Sequence, residues 1–307
     1  PYVRWCERTK INHVTFTDSV GLNDGLIFSY SILQKKLPLH PDSFTNTSFA
    51  SLLSMQEREY VRTDLTPDGV AHIIFYHPNH NCLPTALLSG LVNAVEQAGH
   101  NAEVRLINLR SADHNTFCAG ASFDELMAID DYETSQRFFS GFGNVINAMR
   151  RCPKIIVGRI HGKAVGGGVG LAAATDFCMA TRFASIRLSE LAVGFGPFVI
   201  GPAVERKVGL SAFSQMALNP TEWQTADWAK QKGLFQEVFD STEQLDAYIN
   251  HFNGLLCNYS QEALKELKRI FWEGTDHWAQ LLPERAAVSG RLALSDFTKA
   301  AIAGFKK

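Results

Sequence analysis

The sequence predicts an α/β protein with a parallel core, and two observations carry that prediction. An apolar strand runs through a small-residue turn into a helix twice, at 104–122 and again at 154–177. Strand-like and helical runs also alternate over most of the chain, which implies right-handed crossovers and parallel strands. With 307 residues, 46% apolar and 20% charged, there is material for one large core, or for one core plus a small appendage.

Residues 1–54 begin without Met, mix short apolar patches with Asn, Thr and Pro, and hold no sustained helical period. Met55 is the first methionine, so the natural start is expected there and 1–54 is read as an extension outside the core. The competing reading is an arm without a domain of its own, and neither gives it chemistry. Strands follow at 60–65 and 70–76, joined by a turn through Pro67 and Gly69. A polar loop at 77–84 leads into a helix at 85–97. Next come a strand at 104–109, an Ala-Gly-Ala turn, a helix from about Ser122, a long helix at 133–150, a strand at 154–160 and a helix at 169–177. A short strand at 185–188 precedes Glu190, and a helix at 202–209 is closed by Gly209. Helices at 242–257, 260–272, 275–290 and 295–305 finish the chain.

The second strand-turn-helix unit contains Gly166, Gly167, Gly168 and Gly170. Glycines let a ligand carbonyl approach the backbone, and the N–H groups opening the next helix face it with the positive end of the dipole. Such a turn stabilises an oxyanion. No Gly-Lys-Ser/Thr follows the glycines and the Gly-x-Gly-x-x-Gly order is missing, so neither common phosphate loop is present. Taken alone, the cluster is equally well explained by close packing of helix on sheet.

The first unit, Thr116-Phe-Cys-Ala-Gly-Ala-Ser-Phe-Asp-Glu-Leu126, supplies a second such turn. Two turns can each donate one N–H to the same carbonyl oxygen. Together with Leu188-Ser-Glu-Leu-Ala-Val-Gly194, these segments resemble, in this order, the crotonase (enoyl-CoA hydratase/isomerase) superfamily. The resemblance covers about Glu57 to the C-terminus, and resembles most the bacterial enoyl-CoA and methylglutaconyl-CoA hydratases.

The resemblance implies a spiral of repeated β-β-α turns at 55–240, followed by a helical region at 241–307 that covers the acyl pocket and builds trimer contacts. It places the two backbone donors on Ala121 and Gly167, flanked by Ala119, Gly120, Gly166 and Gly168. Ser122 is expected as a helix N-cap beside the substrate wall. The pantetheine of CoA is expected along the loop holding Asn81 and Leu83. The family's basic cluster near the C-terminus is thinned here to Lys299, Lys306 and Lys307. A homotrimer or a dimer of trimers is implied, with CoA entering only as part of the substrate and no metal or other cofactor.

A thioester carbonyl held by two N–H groups becomes a better electron sink, and Glu190 is the candidate to move the proton. It lies on an apolar segment, where burial without a cation raises a carboxyl pKa. Its place also matches the family's catalytic carboxylate. Taken alone, a glutamate at a strand end is more often solvated or salt-bridged. The family's hydratases carry a second glutamate two residues after the glycine triple, and this chain has Gly170 there. One carboxylate suffices to move one proton between carbons, which favours a Δ3,Δ2-enoyl-CoA isomerase. The similarity of the remaining segments keeps hydration of a 2-enoyl-CoA, of straight or branched chain, as the first expectation. An inert acyl-CoA binder is the third reading.

Other polar residues carry less. His161 at a strand end, Asp124 and Glu125 at a helix start, and Asp176 are read as structural, and Cys118 lacks a nearby base. The six cysteines show no Cys-x-x-Cys pair or zinc spacing, as expected of buried thiols in a reducing compartment. A net charge of −2 without a basic stripe points away from nucleic acid. No apolar run reaches the length of a membrane span and no signal-peptide pattern opens the chain, so a cytoplasmic protein is expected.

Overall fold

The computed structural model describes residues 58–112 and 115–304, which fall within one compact unit running from Glu57 to Lys307. The expected extension at 1–54, the helix end at Phe305, and Lys306 and Lys307 lie outside the described residues.

The elements follow the predicted alternation: β1 (Tyr60–Leu65), β2 (Val70–Tyr76), α1 (Thr85–His100), β3 (Leu106–Ser111), β4 (Thr116–Cys118), α2 (Phe123–Ala128) and α3 (Tyr132–Arg151). Then come β5 (Ile156–Ile160), β6 (Lys163–Val165), α4 (Gly167–Ala174), β7 (Phe177–Thr181) and β8 (Ser185–Arg187), with a 3-10 turn at Glu190–Val193. The chain closes with α5 (Gly201–Leu218), β9 (Gln224–Thr225), α6 (Ala226–Gln231), β10 (Glu237–Phe239), α7 (Thr242–Asn258), α8 (Gln261–Phe271), α9 (Trp278–Ala293) and α10 (Asp296–Gly304).

Two sheets share these strands. The larger runs β1-β2-β3-β5-β7-β10, with only β1 antiparallel to its neighbour, and the smaller runs β4-β6-β8-β9. From β3 to β8, successive circuits of the chain give one strand to each sheet and then helical structure, which is the expected β-β-α spiral. Of the smaller sheet only β8, expected at 185–188, was anticipated. Its strands hold two or three residues each, too few for a period-2 pattern, and they exist because they pair with strands far away in sequence.

Burial follows from this layering. Ile73 and Phe75 of β2, Ile107 and Leu109 of β3, and all five residues of β5 are buried, as parallel strands covered on both faces must be. Helix α3 is capped by Asp131, whose side chain accepts from Thr134 N–H, and it turns Phe138, Phe142, Val145 and Met149 inward at helical spacing. Helix α9 lies against it, with Ser135 Oγ donating to the Gly290 carbonyl at 3.0 Å. The predicted stop at Gly209 is real but local: φ is +77° there, and a second helical stretch continues to Leu218.

Candidate active site

The strand order brings the two small-residue turns together. Leu83 N–H donates to Gly120 O at 2.8 Å, and Leu83 forms a parallel bridge with Ala121, which anchors the first turn. The second turn is held by Gly166 N–H donating to Arg187 O at 2.8 Å, beside the Val165–Arg187 pairing of β6 with β8. A β-carbon on Gly120 would lie 2.9 Å from Val165 O and 3.7 Å from Gly167 N, so the turns are in contact. Gly166 sits at φ +50°, ψ −116°, a conformation that side chains resist, and it directs the chain into α4.

Ala121 and Gly167 both line one cavity of about 390 Å³, together with Ala119, Gly120, Gly166 and Glu190. Among the described residues, neither the Ala121 nor the Gly167 N–H donates to a backbone acceptor. Gly167 opens α4, so its N–H is one of the donors that a helix leaves unsatisfied. Most of the remaining wall is apolar, including Phe139, Phe142, Phe195 and Val199. Apolar walls strengthen any electrostatic interaction made inside them.

Glu190 opens the 3-10 turn after β8, and the pairing of β8 with β6 sets its carboxyl against Gly166. A β-carbon on Gly166 would sit 2.8 Å from Glu190 Oε1. Oε2 is shut off from solvent and has no hydrogen-bond partner. Burial pushes the pKa from 4.5 up to about 7, and a backbone hydrogen bond offsets part of that rise. A carboxyl so placed can both take and return a proton near neutrality.

The position of the second carboxylate is closed. A β-carbon on Gly170 would lie 2.6 Å from Ile200 Cγ2 and 2.7 Å from Ile200 Cβ. Gly170→Ala is therefore expected to lower unfolding stability by about 1–3 kcal/mol, the usual cost of overpacking, as read from urea denaturation. Phe142 closes the neighbouring position, where a β-carbon on Gly167 would fall 2.0 Å from Cε1. Glycine at 167 is thus required by the aromatic wall.

Comparison with known proteins gives the family. The family model described as "Enoyl-CoA hydratase/isomerase" matches residues 66–297. The chain belongs to the enoyl-CoA hydratase/isomerase family. A peroxisomal Delta(3,5)-Delta(2,4)-dienoyl-CoA isomerase of Arabidopsis thaliana is 28% identical over 209 residues, covering 63% of this chain and 73% of that protein. The mitochondrial methylglutaconyl-CoA hydratase of Mus musculus is 30% identical over 168 residues, covering 54% and 53% of the two chains. The chain thus spans about half of the mouse hydratase. Among solved structures, an enoyl-CoA hydratase from Bacillus halodurans superimposes with TM-score 0.74 at 20% identity, over 80% of this chain and 99% of that one. The likeness at that identity is one of fold, the crotonase-type spiral.

Other residues singled out in the sequence have different places. Asn81 is fully buried, accepts from His77 N–H at 2.9 Å and donates to Thr116 O at 3.0 Å; Leu83 is equally buried. Their side chains stand behind the cavity wall and shape the first turn instead of lining it. Gly168 packs on Cys118, Lys299 is exposed on α10 away from the cavity lining, and Ser122 accepts from Glu125 N–H as the N-cap of α2. Glu125, read as serving its own helix, accepts instead from Thr85 N–H and Oγ1, both at 2.9 Å, and so caps α1. Burial pushes the Cys118 thiol up to about 12, leaving no thiolate for nucleophilic attack. Sequence reading missed Arg187, Ile200 and Phe142 as part of this site. Arg187, which ends the short strand three residues before the candidate acid, is the one that carried a local signal.

Proposed function

We propose that the protein binds an acyl-CoA thioester with its carbonyl oxygen between the N–H groups of Ala121 and Gly167, and that Glu190 moves a proton on the acyl chain through a thioester enolate. The observation that carries this reading is Glu190 Oε2, shut off from solvent without a hydrogen-bond partner beside Gly166, in the same cavity as two unengaged backbone donors.

Shifting a double bond from C3 to C2 fits this set best. Glu190 takes a proton from C2 and the electron pair moves toward the carbonyl held by the two N–H groups. The extended enolate then regains a proton at C4 from the same carboxyl, leaving a C2=C3 double bond. One carboxyl on one face of the chain completes the cycle. Gly170 against Ile200 supports this assignment, since a two-carboxylate water site has no room there.

Hydration of a 2-enoyl-CoA is the second reading, favoured by the mouse methylglutaconyl-CoA hydratase among the relatives. It requires Glu190 both to activate water and to return its proton to C2. The working assembly belongs to the same proposal. A homotrimer or a dimer of trimers would cover exposed Leu210, Leu218 and Phe297, which sedimentation of the purified protein checks.

The test supplies a 3-enoyl-CoA and, separately, crotonyl-CoA, following conjugated-thioester absorbance and product mass. Gain of absorbance without a mass change is expected with the first substrate. Loss of absorbance with one added water on the second would replace isomerisation by hydration. Binding of both thioesters without any product would overturn the enzymatic reading. Because the carboxylate form takes the first proton, kcat/KM is expected to rise with pH through about 7 and then level off. A flat profile between pH 6 and 8 would remove Glu190 from that step.

A further inference from the structure

Arg187 is a cation in the cavity wall that no acid meets. Of the other guanidinium groups drawn into the fold, Arg150 Nη1 lies 3.5 Å from Asp276 and Arg159 holds Asp246 through two nitrogens, one of them at 2.9 Å, while Arg206 rests on the Trp272 ring outside this cavity and has Asp176 acting on it. Arg187 lines the cavity, its Nε is buried without an acceptor, and none of the ion pairs among the described residues includes it. Its guanidinium is instead held over the ring of Trp223, with Cζ 4.4 Å from the centroid. Lys163 Nζ approaches the same ring at 5.3 Å and is likewise in none of those pairs. Burial lowers the Arg187 pKa with no neighbouring charge acting against it. A half-buried cation is costly to keep from water, and an anion arriving with the ligand offsets that cost.

We propose that Arg187 binds a second anionic group, a carboxylate carried by the acyl chain, so that the substrate class is the mono-CoA thioester of a dicarboxylic acid. This rests on the acyl-CoA reading of the cavity. The backbone of Arg187 is hydrogen-bonded to Gly166, next to the donor at Gly167, so its side chain starts from the turn that is proposed to hold the carbonyl. The phosphates of CoA are separated from that carbonyl by the whole pantetheine arm. A planar guanidinium fixed on an aromatic face matches the two oxygens of a carboxylate.

The test uses two saturated thioesters of equal chain length that cannot react, hexanoyl-CoA and the mono-CoA thioester of hexanedioic acid, with calorimetric binding to the full chain. The wild-type protein is expected to hold the dicarboxylic thioester about tenfold to a hundredfold tighter, the range of a charge-assisted pair. In Arg187→Gln that ratio is expected to fall to about one, and in Arg187→Lys to lie between. A ratio near one in the wild-type protein overturns the proposal without any variant. A wild-type preference that survives in Arg187→Gln overturns it too, and an equal loss for both ligands assigns Arg187 to the CoA phosphates. Neither ligand turns over, so failure of the proton-transfer reading appears only on the unsaturated counterparts and is seen separately.

Discussion

Glu190→Gln is expected to lower kcat by about 10²- to 10⁴-fold, the contribution of a positioned acid/base, with acyl-CoA affinity largely retained. Glutamine keeps the shape of the carboxyl against Gly166 but can neither take nor return the proton. Single-turnover rates on a 3-enoyl-CoA, with binding of a saturated acyl-CoA measured alongside, separate chemistry from affinity. A variant within a factor of three of the wild-type rate would show that another group moves the proton.

The same substitution has a signature in stability. The folded-state pKa of Glu190 is raised from 4.5 to about 7, so the folded protein binds a proton that the unfolded chain releases between those values. Below pH 4.5 the carboxyl is neutral in both states and folding carries no penalty. As pH rises toward 7 the folded state is progressively penalised, and above 7 the full penalty, about 3 kcal/mol at 1.36 kcal/mol per pKa unit, is present. Glu190→Gln is therefore expected to unfold at higher denaturant than the wild type at pH 8, with the gap closing by pH 4.5. A gap independent of pH would mean that the carboxyl is not desolvated as described.

Asp176→Ala is expected to cost about 3–5 kcal/mol of unfolding free energy, because it strands a buried cation. Asp176 Oδ2 accepts from Ile156 N–H at 2.8 Å and from Lys268 Nζ at 2.6 Å, while Oδ1 accepts from Trp272 Nε1 at 2.8 Å. The side chains of the pair are 2% and 3% exposed, so water cannot replace the lost carboxylate. This one residue ties the start of β5 to helix α8 and the turn after it. Replacing Lys268 by Met in the same chain is expected to restore much of the loss, since the uncompensated charge is then gone as well. Urea unfolding of both variants decides it, and a loss below 1 kcal/mol in Asp176→Ala would show that the network is not buried as described.

The sequence by itself determined the alternation of strands and helices, the pairing of two small-residue turns, and Glu190 as the acid to test. These are local features: a strand that ends in Ala119-Gly120-Ala121 or Gly166-Gly167-Gly168 and enters a helix carries its own signal within a dozen residues. Asp176 was also legible as structural, though not its three partners. Only the tertiary structure decided what surrounds the acid. Ile200 fills the space beside Gly170, Phe142 forbids any side chain at 167, and Arg187, part of the cavity wall, lays its guanidinium on Trp223 with no acid to meet it. The smaller sheet belongs to the same class: of its strands only β8 was legible, and the pairing that joins them was not. Each depends on which residues, tens of positions apart, occupy the same few ångströms, and packing at that range leaves no periodic trace along the chain.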